Sequence, residues 1–226
     1  MIDAGDVVVT LLTGRRPDLL AATLDGLHFN APGLLETAHV VALHNGDDGS
    51  DDATADALEL VGEHVDEWLT GRDLLPVGLA TSRLAAHVPR TGRAYWLHLE
   101  DDWRATKRHL GWLDRARELL AVDPRLTQVR LRLADERVLA RHMVTGRQLR
   151  WIDRGDHQRA ADAHWTNNPA LVRAADAAVA WPADGERAAQ RRWHAAGRHA
   201  AAQLVPGEFK HLGEGASLWR AVGSRP

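Results

Sequence analysis

The stretch YWLHLEDDW, residues 95–103, decides the fold, because an aromatic and apolar run ends there in three successive carboxylates. Its Tyr, Trp and Leu side chains favour a β-strand, and Gly92 marks a turn before it. Three like charges repel, so a fold keeps them together where they are solvated or share a cation. On an extended backbone Glu100 and Asp102 point to one side, which suits a hard divalent ion such as Mg²⁺ or Mn²⁺. The alternative is a solvated acidic turn after a strand.

Length and composition favour one α/β domain and exclude several kinds of chemistry. The 226 residues suffice for one substantial core, and the formal charge of −3 neither demands nor excludes a polyanionic partner. Without cysteine there is no disulfide, no thiolate nucleophile and no Cys-ligated zinc. The sequence has no apolar run of the roughly 18 residues that a membrane span needs and no N-terminal signal pattern. We therefore expect a cytoplasmic protein without membrane contact.

Strand and helix patterns alternate through the first hundred residues, which predicts a parallel sheet with right-handed crossovers. The predicted strands cover residues 6–13 and 39–43, a stretch near Trp68 and Leu69, and the run from Tyr95. Three helices are predicted between these strands. The first begins at Pro17 and turns Leu20, Leu24 and Leu27 inward. The second carries Thr54, Leu58 and Val61 on one face, and the third covers residues 79–87. A further helix is predicted after Trp103, and it turns Leu110, Leu113, Ala116 and Leu120 inward. It is followed by a strand over 128–133 and by a helix from Glu186 to about residue 196.

Polar turns follow three of the predicted strands. They cover residues 13–16, 44–48 and 100–102. Ligands of open parallel sheets bind outside the carboxyl ends of the strands. We therefore expect the three turns to share one rim of the sheet and to form a binding site there.

In this order the segments resemble the GT-A glycosyltransferases, particularly glycosyltransferase family 2. The resemblance covers most of the chain and rests on VVVTLLTGRRPDLLAATLDGL, HNGDDGSDDAT, GLATSRLA and YWLHLEDDW. The segments ARHMVTGRQLRW, HWTNNPALVR and FKHLGEGAS resemble a compact subgroup of actinobacterial and phage proteins. The resemblance implies an α/β, Rossmann-like GT-A fold, with a mostly parallel central sheet flanked by helices and a C-terminal acceptor-side extension. It implies one domain over 1–226, with 1–103 binding the nucleotide sugar and 104–226 on the acceptor side.

The resemblance also implies a reaction, in which a hexosyl group moves from a nucleotide-diphosphate sugar, a UDP-sugar being favoured, with Mn²⁺ or Mg²⁺. Asp102 is then the expected direct metal ligand, Glu100 or Asp101 assists it, and His211 completes the metal site. Imidazole is a reasonable Mn²⁺ ligand, although a lone His before Gly can equally be a surface or capping residue.

Other residues are matched to the donor nucleotide and sugar. Thr13 and Arg15 match the first nucleotide-binding turn, and Asn45 with Asp47 or Asp48 matches the second; the alternative for Asn45 is a tight turn. His44 stands where many members carry aspartate, so the choice between UDP and GDP stays open. Further candidate contacts to the donor or acceptor are Ser82, Trp103, Trp165, Asn167 and Asn168. For Trp103 a core position is the alternative.

An inverting transferase needs a carboxylate that takes the proton from the acceptor hydroxyl. The resemblance implies Glu186 for this role, with Asp184 as the second candidate. Both can instead be acids favoured in the first turn of a helix. The acceptor is open: a hydroxymethylated pyrimidine in phage DNA, a virion protein, a glycan or a small molecule. Residues 125–159 hold nine arginines against four acids, which suits DNA, but the sequence has no nucleic-acid motif.

Two other classes of function stay open. A nucleotidyltransferase acting on sugar phosphates would use the same kind of sheet, cation and nucleotide. It usually has a glycine-rich loop after the first strand, whereas residues 13–17 contain one glycine. The third class is a non-catalytic module that binds a nucleotide sugar.

Overall fold

The computed structural model describes residues 1–45, 52–70, 74–106, 111–133, 141–166, 169–177 and 186–212, without the side chains of 52–54 and 70. The strands are β1 Val7–Thr13, β2 His39–His44, β3 Glu67–Thr70, β4 Tyr95–Glu100, β5 Trp103–Ala105, β6 Leu126–Arg130, β7 Ile152–Asp153, β8 His157–Ala160, β9 Ala170–Arg173, β10 Ala200–Leu204 and β11 Phe209–His211. The helices are α1 Pro17–Asn30, α2 Leu34–Thr37, α3 Asp52–Val61, α4 Val77–His87, α5 Trp112–Val122, α6 Ala174–Ala177 and α7 Glu186–Ala195, and a 3₁₀ helix covers Val88–Thr91.

The described strands form a nine-stranded sheet in the order β3-β2-β1-β4-β9-β6-β10-β8-β7 and a two-stranded ribbon of β11 and β5. β1 pairs in parallel with β2 and β4, β2 with β3, and β10 with β6. β9 runs antiparallel to both of its neighbours, β4 and β6, and β8 runs antiparallel to β10. The prediction of a mostly parallel central sheet flanked by helices is therefore confirmed.

Hydrophobic cores cover both faces of this sheet. Val7, Val9 and Leu11 belong to the core that also contains buried residues of α1, α2 and α5. Val8 and Leu12, which point the other way, belong to the core with α4 and α7. Burial on both faces explains why β1 is apolar along its whole length instead of alternating.

The helix predicted beyond Trp103 is confirmed as α5, with Leu113, Ala116 and Leu120 buried, although the short strand β5, paired with β11, comes before it. Two details of the predicted elements are wrong. Leu58 is exposed, whereas Ala57 and Val61 face the core. The strand predicted over 128–133 is Leu126–Arg130, because Leu131 leaves the sheet to bond residues 208 and 209. Leu110 and the side chain of Thr54 lie outside the described residues.

The described helices include none that is both long and apolar enough to cross a membrane.

Candidate functional site

The carboxyl ends of β1, β2 and β4 meet at one rim of the sheet, as the sequence predicts, although residues 46–51 of the turn after β2 lie outside the described residues. The backbone N–H of Asn45 donates to the carbonyl of Thr13 at 2.9 Å, and Oγ1 of Thr13 lies 2.9 Å from Nδ1 of His44. On the other side of β1, the N–H of Asp101 donates to the carbonyl of Leu12 at 3.0 Å. Parallel pairing in register therefore places the three carboxyl ends next to one another.

Asp101 is buried and bound on three sides. The N–H of Gly14 donates to its Oδ2 at 2.9 Å, the Arg16 guanidinium pairs with its Oδ1, and the Thr23 hydroxyl donates to its carbonyl at 2.8 Å. Burial raises the pKa of Asp101 to about 6, against the opposing charge of Arg16. This side chain fixes the turn between β1 and α1 to the end of β4.

Asp102 is also buried but keeps one oxygen unused. Its Oδ2 accepts from Nη1 of Arg16 at 3.0 Å and lies 3.3 Å from Nε2 of His211. The N–H of Leu212 donates to its carbonyl at 2.8 Å. Within the described part of the chain, Oδ1 of Asp102 is buried without a hydrogen-bond partner. Two of the predicted metal ligands, Asp102 and His211, therefore lie side by side, and the second carboxylate oxygen of Asp102 lacks a partner.

Arg16 is the residue that sequence reasoning missed. It precedes Pro17 at the start of α1 and reaches across to both carboxylates, whereas its neighbour Arg15 is exposed. Burial acts to lower the pKa of the Arg16 guanidinium, but the charges of Asp101 and Asp102 outweigh it and raise that pKa. Only the geometry of the turn distinguishes the two arginines.

Glu100 and Glu186 lie within electrostatic reach of each other. Burial raises the pKa of the half-buried Glu100 to about 8, and the charges of Asp102, Asp101 and Glu186 raise it further against the opposing charge of Arg16. Glu186 itself is exposed at the first position of α7. The carboxylate at the first position of α7 therefore acts electrostatically on the carboxyl at the end of β4.

Arg130 extends this group toward the second half of the chain. Burial lowers the pKa of its guanidinium to about 10, and the charge of Glu186 acts in the opposite direction. Its Nη2 donates to the carbonyl of His164 at 2.5 Å, and the guanidinium lies 5.2 Å from the ring centroid of Trp151. The charge of Glu186 thus acts on both the carboxyl of Glu100 and the buried guanidinium of Arg130.

Several residues predicted to contact the donor are committed to the fold. Oδ1 of Asn45 accepts from the N–H of Leu75 and its Nδ2 donates to the carbonyl of Leu75, both at 2.9 Å. Trp103 is buried, with the ring centroid of His211 at 4.8 Å and the guanidinium of Arg132 at 5.6 Å. These positions favour the structural alternatives for Asn45 and Trp103.

The remaining candidates divide into described and undescribed residues. Trp165 is buried and stacks on Trp193 with 4.4 Å between ring centroids, so it belongs to the core. Ser82 is half-buried on α4. The candidates outside the described residues are Asp47, Asp48, Asn167, Asn168 and Asp184.

Solved structures share this fold, although no protein-family model and no curated protein matches the sequence. Mannosyltransferase PcManGT from Pyrobaculum calidifontis, in complex with GDP-Man and Mn²⁺, has a TM-score of 0.58 at 14% identity, over 92% of this chain and 57% of that one. TarS 1–349 from S. aureus has a TM-score of 0.55 at 12% identity, over 90% of this chain and 59% of that one. The same TarS fragment in complex with UDP has a TM-score of 0.54 at 14% identity. The chain thus spans less than two thirds of the length of these proteins. The similarities confirm the GT-A-type α/β fold.

Proposed function

We propose that the protein is a glycosyltransferase that moves a sugar from a nucleotide-diphosphate sugar to an acceptor hydroxyl. One observation carries this proposal: in a GT-A-type fold, the buried carboxylates of Asp101 and Asp102 lie beside the turn after β1 and near the end of β2. Open parallel sheets bind their ligands at such a rim. Residues 1–103 would hold the donor and residues 104–226 would supply most of the acceptor side.

The metal-ligand atoms at Asp102 and His211 fit a divalent cation such as Mn²⁺ or Mg²⁺. Its buried Oδ1 has no hydrogen-bond partner within the described residues, and a buried carboxylate oxygen is costly without one. Asp102 and His211 would hold the ion, with Glu100 assisting. Carboxylate oxygens and one imidazole suit Mn²⁺. When bound, such an ion neutralises the charge that builds on the departing diphosphate.

The guanidinium of Arg16 would help to hold the diphosphate of the nucleotide-sugar donor. Arg16 presents a planar guanidinium beside Asp101 and Asp102, and this group recognises phosphate oxygens in pairs. The base of the nucleotide would lie near Thr13 and His44, at the end of β2. TarS has been solved with UDP and PcManGT with GDP-Man, so both bases belong in the test, with UDP-sugars as the favoured donors.

Glu186 is the proposed general base. It is exposed at the start of α7, and its charge is felt by both Glu100 and Arg130. A solvent-facing carboxylate at this place can take the proton from an acceptor hydroxyl as the hydroxyl attacks the sugar. This role implies inversion at the anomeric carbon.

The acceptor side carries fewer available cations than the arginine count of residues 125–159 indicates. Arg125 and Arg159 both pair with Asp123, and Arg130 is buried. Phage DNA is therefore tested as an acceptor together with proteins and glycans, and none of the three classes is favoured. The phage or actinobacterial subgroup and the cytoplasmic location stay predictions.

The experiment is a turnover assay with a panel of UDP- and GDP-sugars, Mn²⁺ or Mg²⁺, and protein, glycan and hydroxymethylated-DNA acceptors. The proposal expects release of the nucleoside diphosphate with one donor. It also expects a loss of about 100-fold or more for Asp102→Asn, since the variant weakens the binding of the cation that would neutralise the charge on the departing diphosphate. Asp114→Asn, on an exposed carboxylate of α5, is the matched control and should keep full activity.

Two outcomes would contradict the proposal. Pyrophosphate formed from UTP and a sugar phosphate would identify a nucleotidyltransferase. Donor binding that Asp102→Asn weakens, with no turnover by the wild-type protein on any acceptor, would identify a non-catalytic binding module.

A further inference from the structure

Arg130 is a buried cation to which the proposed reaction gives no role. It lies at the end of β6, and its exposed fraction is 9%. Burial lowers the pKa of its guanidinium only to about 10, so the group keeps its charge at neutral pH. Arg125 and Arg159 pair with Asp123, whereas Arg130 forms no ion pair within the described residues. A buried charge is costly unless an opposite charge pairs with it.

The partners that Arg130 does have are neutral. Its Nη2 donates to the carbonyl of His164 at 2.5 Å, and the guanidinium lies 5.2 Å from the ring centroid of Trp151. Among the described residues, no hydrogen-bond partner is found for its buried Nε. An aromatic ring attracts a cation through its π-face, but it is not the oxygen acceptor that an N–H group needs. The guanidinium therefore has donor capacity that the described residues do not use.

A structural role explains the hydrogen bond of Arg130 but not its charge. The carbonyl of His164 also accepts from Nε2 of Gln128 at 2.8 Å, so a neutral donor on the same strand already holds this loop. A second neutral donor at position 130 would reinforce the contact without the cost of burying a cation. The charge at this position therefore indicates an anionic partner.

Glu186 is the described carboxylate whose charge acts on Arg130, yet the two side chains form no salt bridge. Glu186 is exposed at the first position of α7. A neighbouring cation in direct contact would lower the pKa of Glu186 and make it a weaker base. A ligand that reaches Glu186 from solvent comes within electrostatic reach of the guanidinium of Arg130.

We propose that Arg130 binds a carboxylate or phosphate group of the acceptor, close to the hydroxyl that Glu186 deprotonates. This assignment rests on the proposed function, in which the acceptor hydroxyl meets Glu186. A planar guanidinium recognises both kinds of oxyanion through paired hydrogen bonds. An anionic group so close to Glu186 would be repelled by its carboxylate, and the charge of Arg130 offsets that repulsion. The donor diphosphate is left to Arg16, on the other half of the chain.

The burial of Arg130 limits the kind of acceptor. The phosphates of a DNA duplex bind cations that are exposed on a surface, whereas a side chain that is nine-tenths buried can be reached by a single small group. The expected acceptor is therefore a sugar acid, a sugar phosphate or a polyol phosphate, either free or at the end of a larger molecule.

The first test requires no turnover. In the intact protein without metal, the proton–nitrogen resonance of Arg130 Nε–H is assigned by its absence in Arg130→Lys. Glucuronate and glycerol phosphate should each move this resonance, whereas glucose and glycerol, which lack the anionic group, should not. Arg150→Gln is the control, since Arg150 is an exposed arginine directly before Trp151, and this variant should respond to the anions as the wild type does.

The second test uses the donor and the acceptor that the turnover assay identifies. The acceptor with the highest kcat/KM should carry a carboxylate or phosphate and is compared with its counterpart that lacks this group. Arg130→Gln should lower kcat/KM for the anionic acceptor by at least about 10-fold more than for the neutral one, mainly through KM, since it removes one partner of a buried charged contact. Arg150→Gln should treat the two acceptors as the wild type does.

Several results would overturn the proposal. They are an Arg130 resonance that neither anion moves or that the neutral compounds move equally, a preferred acceptor without an anionic group, and an equal effect of Arg130→Gln on both acceptors. A loss that depends on the donor, with UDP-glucuronate affected and UDP-glucose spared, would assign the anion to the donor and overturn it as well. Absence of nucleoside diphosphate release by the wild type contradicts the proposed function instead, and the resonance still decides whether Arg130 binds an anion.

Discussion

Arg16 is the side chain on which the two buried carboxylates of the acidic site depend. It pairs with Asp101 and Asp102 at once and is itself largely buried. Replacing Arg16 with Gln leaves both carboxylates without their cation, so the free energy of unfolding should fall by about 3 kcal/mol. Chemical denaturation in the presence of a chelator measures this change.

Arg15→Gln is the matched control, since Arg15 is the adjacent arginine in the same turn and is exposed. A surface substitution of this kind should change the free energy of unfolding by no more than about 0.5 kcal/mol. Equal effects of the two substitutions would show that the pairing of Arg16 with the acids is not a major source of stability.

The raised pKa of Glu100 should make stability depend on pH. Its folded-state pKa of about 8 lies above its ordinary value of 4.5, so the folded protein holds a proton that the unfolded chain has lost between these values. The free energy of unfolding should therefore fall as the pH rises from about 4.5 to about 8. Asp101, raised to about 6, adds a change of the same sign at lower pH.

Glu100→Gln removes this titration and should flatten the fall in stability over the upper part of that range. The measurement is urea denaturation of metal-free protein at pH values below, within and above the range. Glu118→Gln, on a largely exposed carboxylate of α5, should leave the pH profile unchanged. A Glu100→Gln profile as steep as that of the wild type would contradict the assignment.

The chemistry of the rim could be predicted from single residues only in part. The EDD motif, the strand before it and the order of the polar turns identified Asp101 and Asp102 because like charges after a strand need a partner. The partner itself could not be predicted, since Arg15 and Arg16 have the same chemistry and differ only in the direction that the turn gives them. The structural role of Asn45 could not be predicted either, because its side chain is hydrogen-bonded to the backbone of Leu75, 30 residues away in the chain.

At the scale of elements, the ribbon of β5 and β11 positions one predicted metal ligand. His211 pairs with Trp103, directly after Asp102, and the N–H groups of Glu208 and Phe209 both donate to the carbonyl of Leu131. A Cβ atom at Gly207 would overlap the carbonyl oxygen of Arg132. The approach of β11 to the chain after β6 therefore depends on this glycine.

Gly207→Ala should displace β11, lower the free energy of unfolding by about 1–3 kcal/mol through overpacking, and weaken Mn²⁺ binding through His211. Gly5→Ala, where the added Cβ meets its nearest neighbour at an ordinary 3.4 Å, is the control and should stay within about 1 kcal/mol of the wild type. Denaturation together with Mn²⁺ titration measures both effects. Unchanged Mn²⁺ binding by a destabilised Gly207→Ala would exclude His211 as a ligand.

Local patterns were enough to predict the parallel strands but not their later partners. β1, β2, β3 and β4 have apolar or aromatic runs of their own, bounded by turn residues. β5 has three residues and exists because β11 pairs with it, about a hundred residues later in the chain. Tertiary packing places β9 between β4 and β6, and the local spacing of apolar residues does not indicate this position.

At the scale of the whole molecule, one sheet joins the two predicted halves of the chain. β4 from the first half and β6 from the second are both paired with β9, and hydrophobic cores cover both faces. The backbone amides of β1, β4 and β9 should therefore exchange with deuterium only through global unfolding. The edge strands β3 and β7 should exchange first. Hydrogen exchange read by mass spectrometry checks this order, and early exchange of β9 would contradict a single cooperative sheet.

The central claim is that Asp102 and His211 hold the cation of a nucleotide-sugar donor. Its most direct test is the anomalous diffraction of manganese in crystals grown with Mn²⁺ and the donor chosen by the turnover assay. We expect an anomalous peak for a manganese ion that contacts Oδ1 of Asp102 on one side and the diphosphate on the opposite side. A peak elsewhere, with Asp102 still held by Arg16 and the diphosphate away from the β1 and β2 turns, would contradict it.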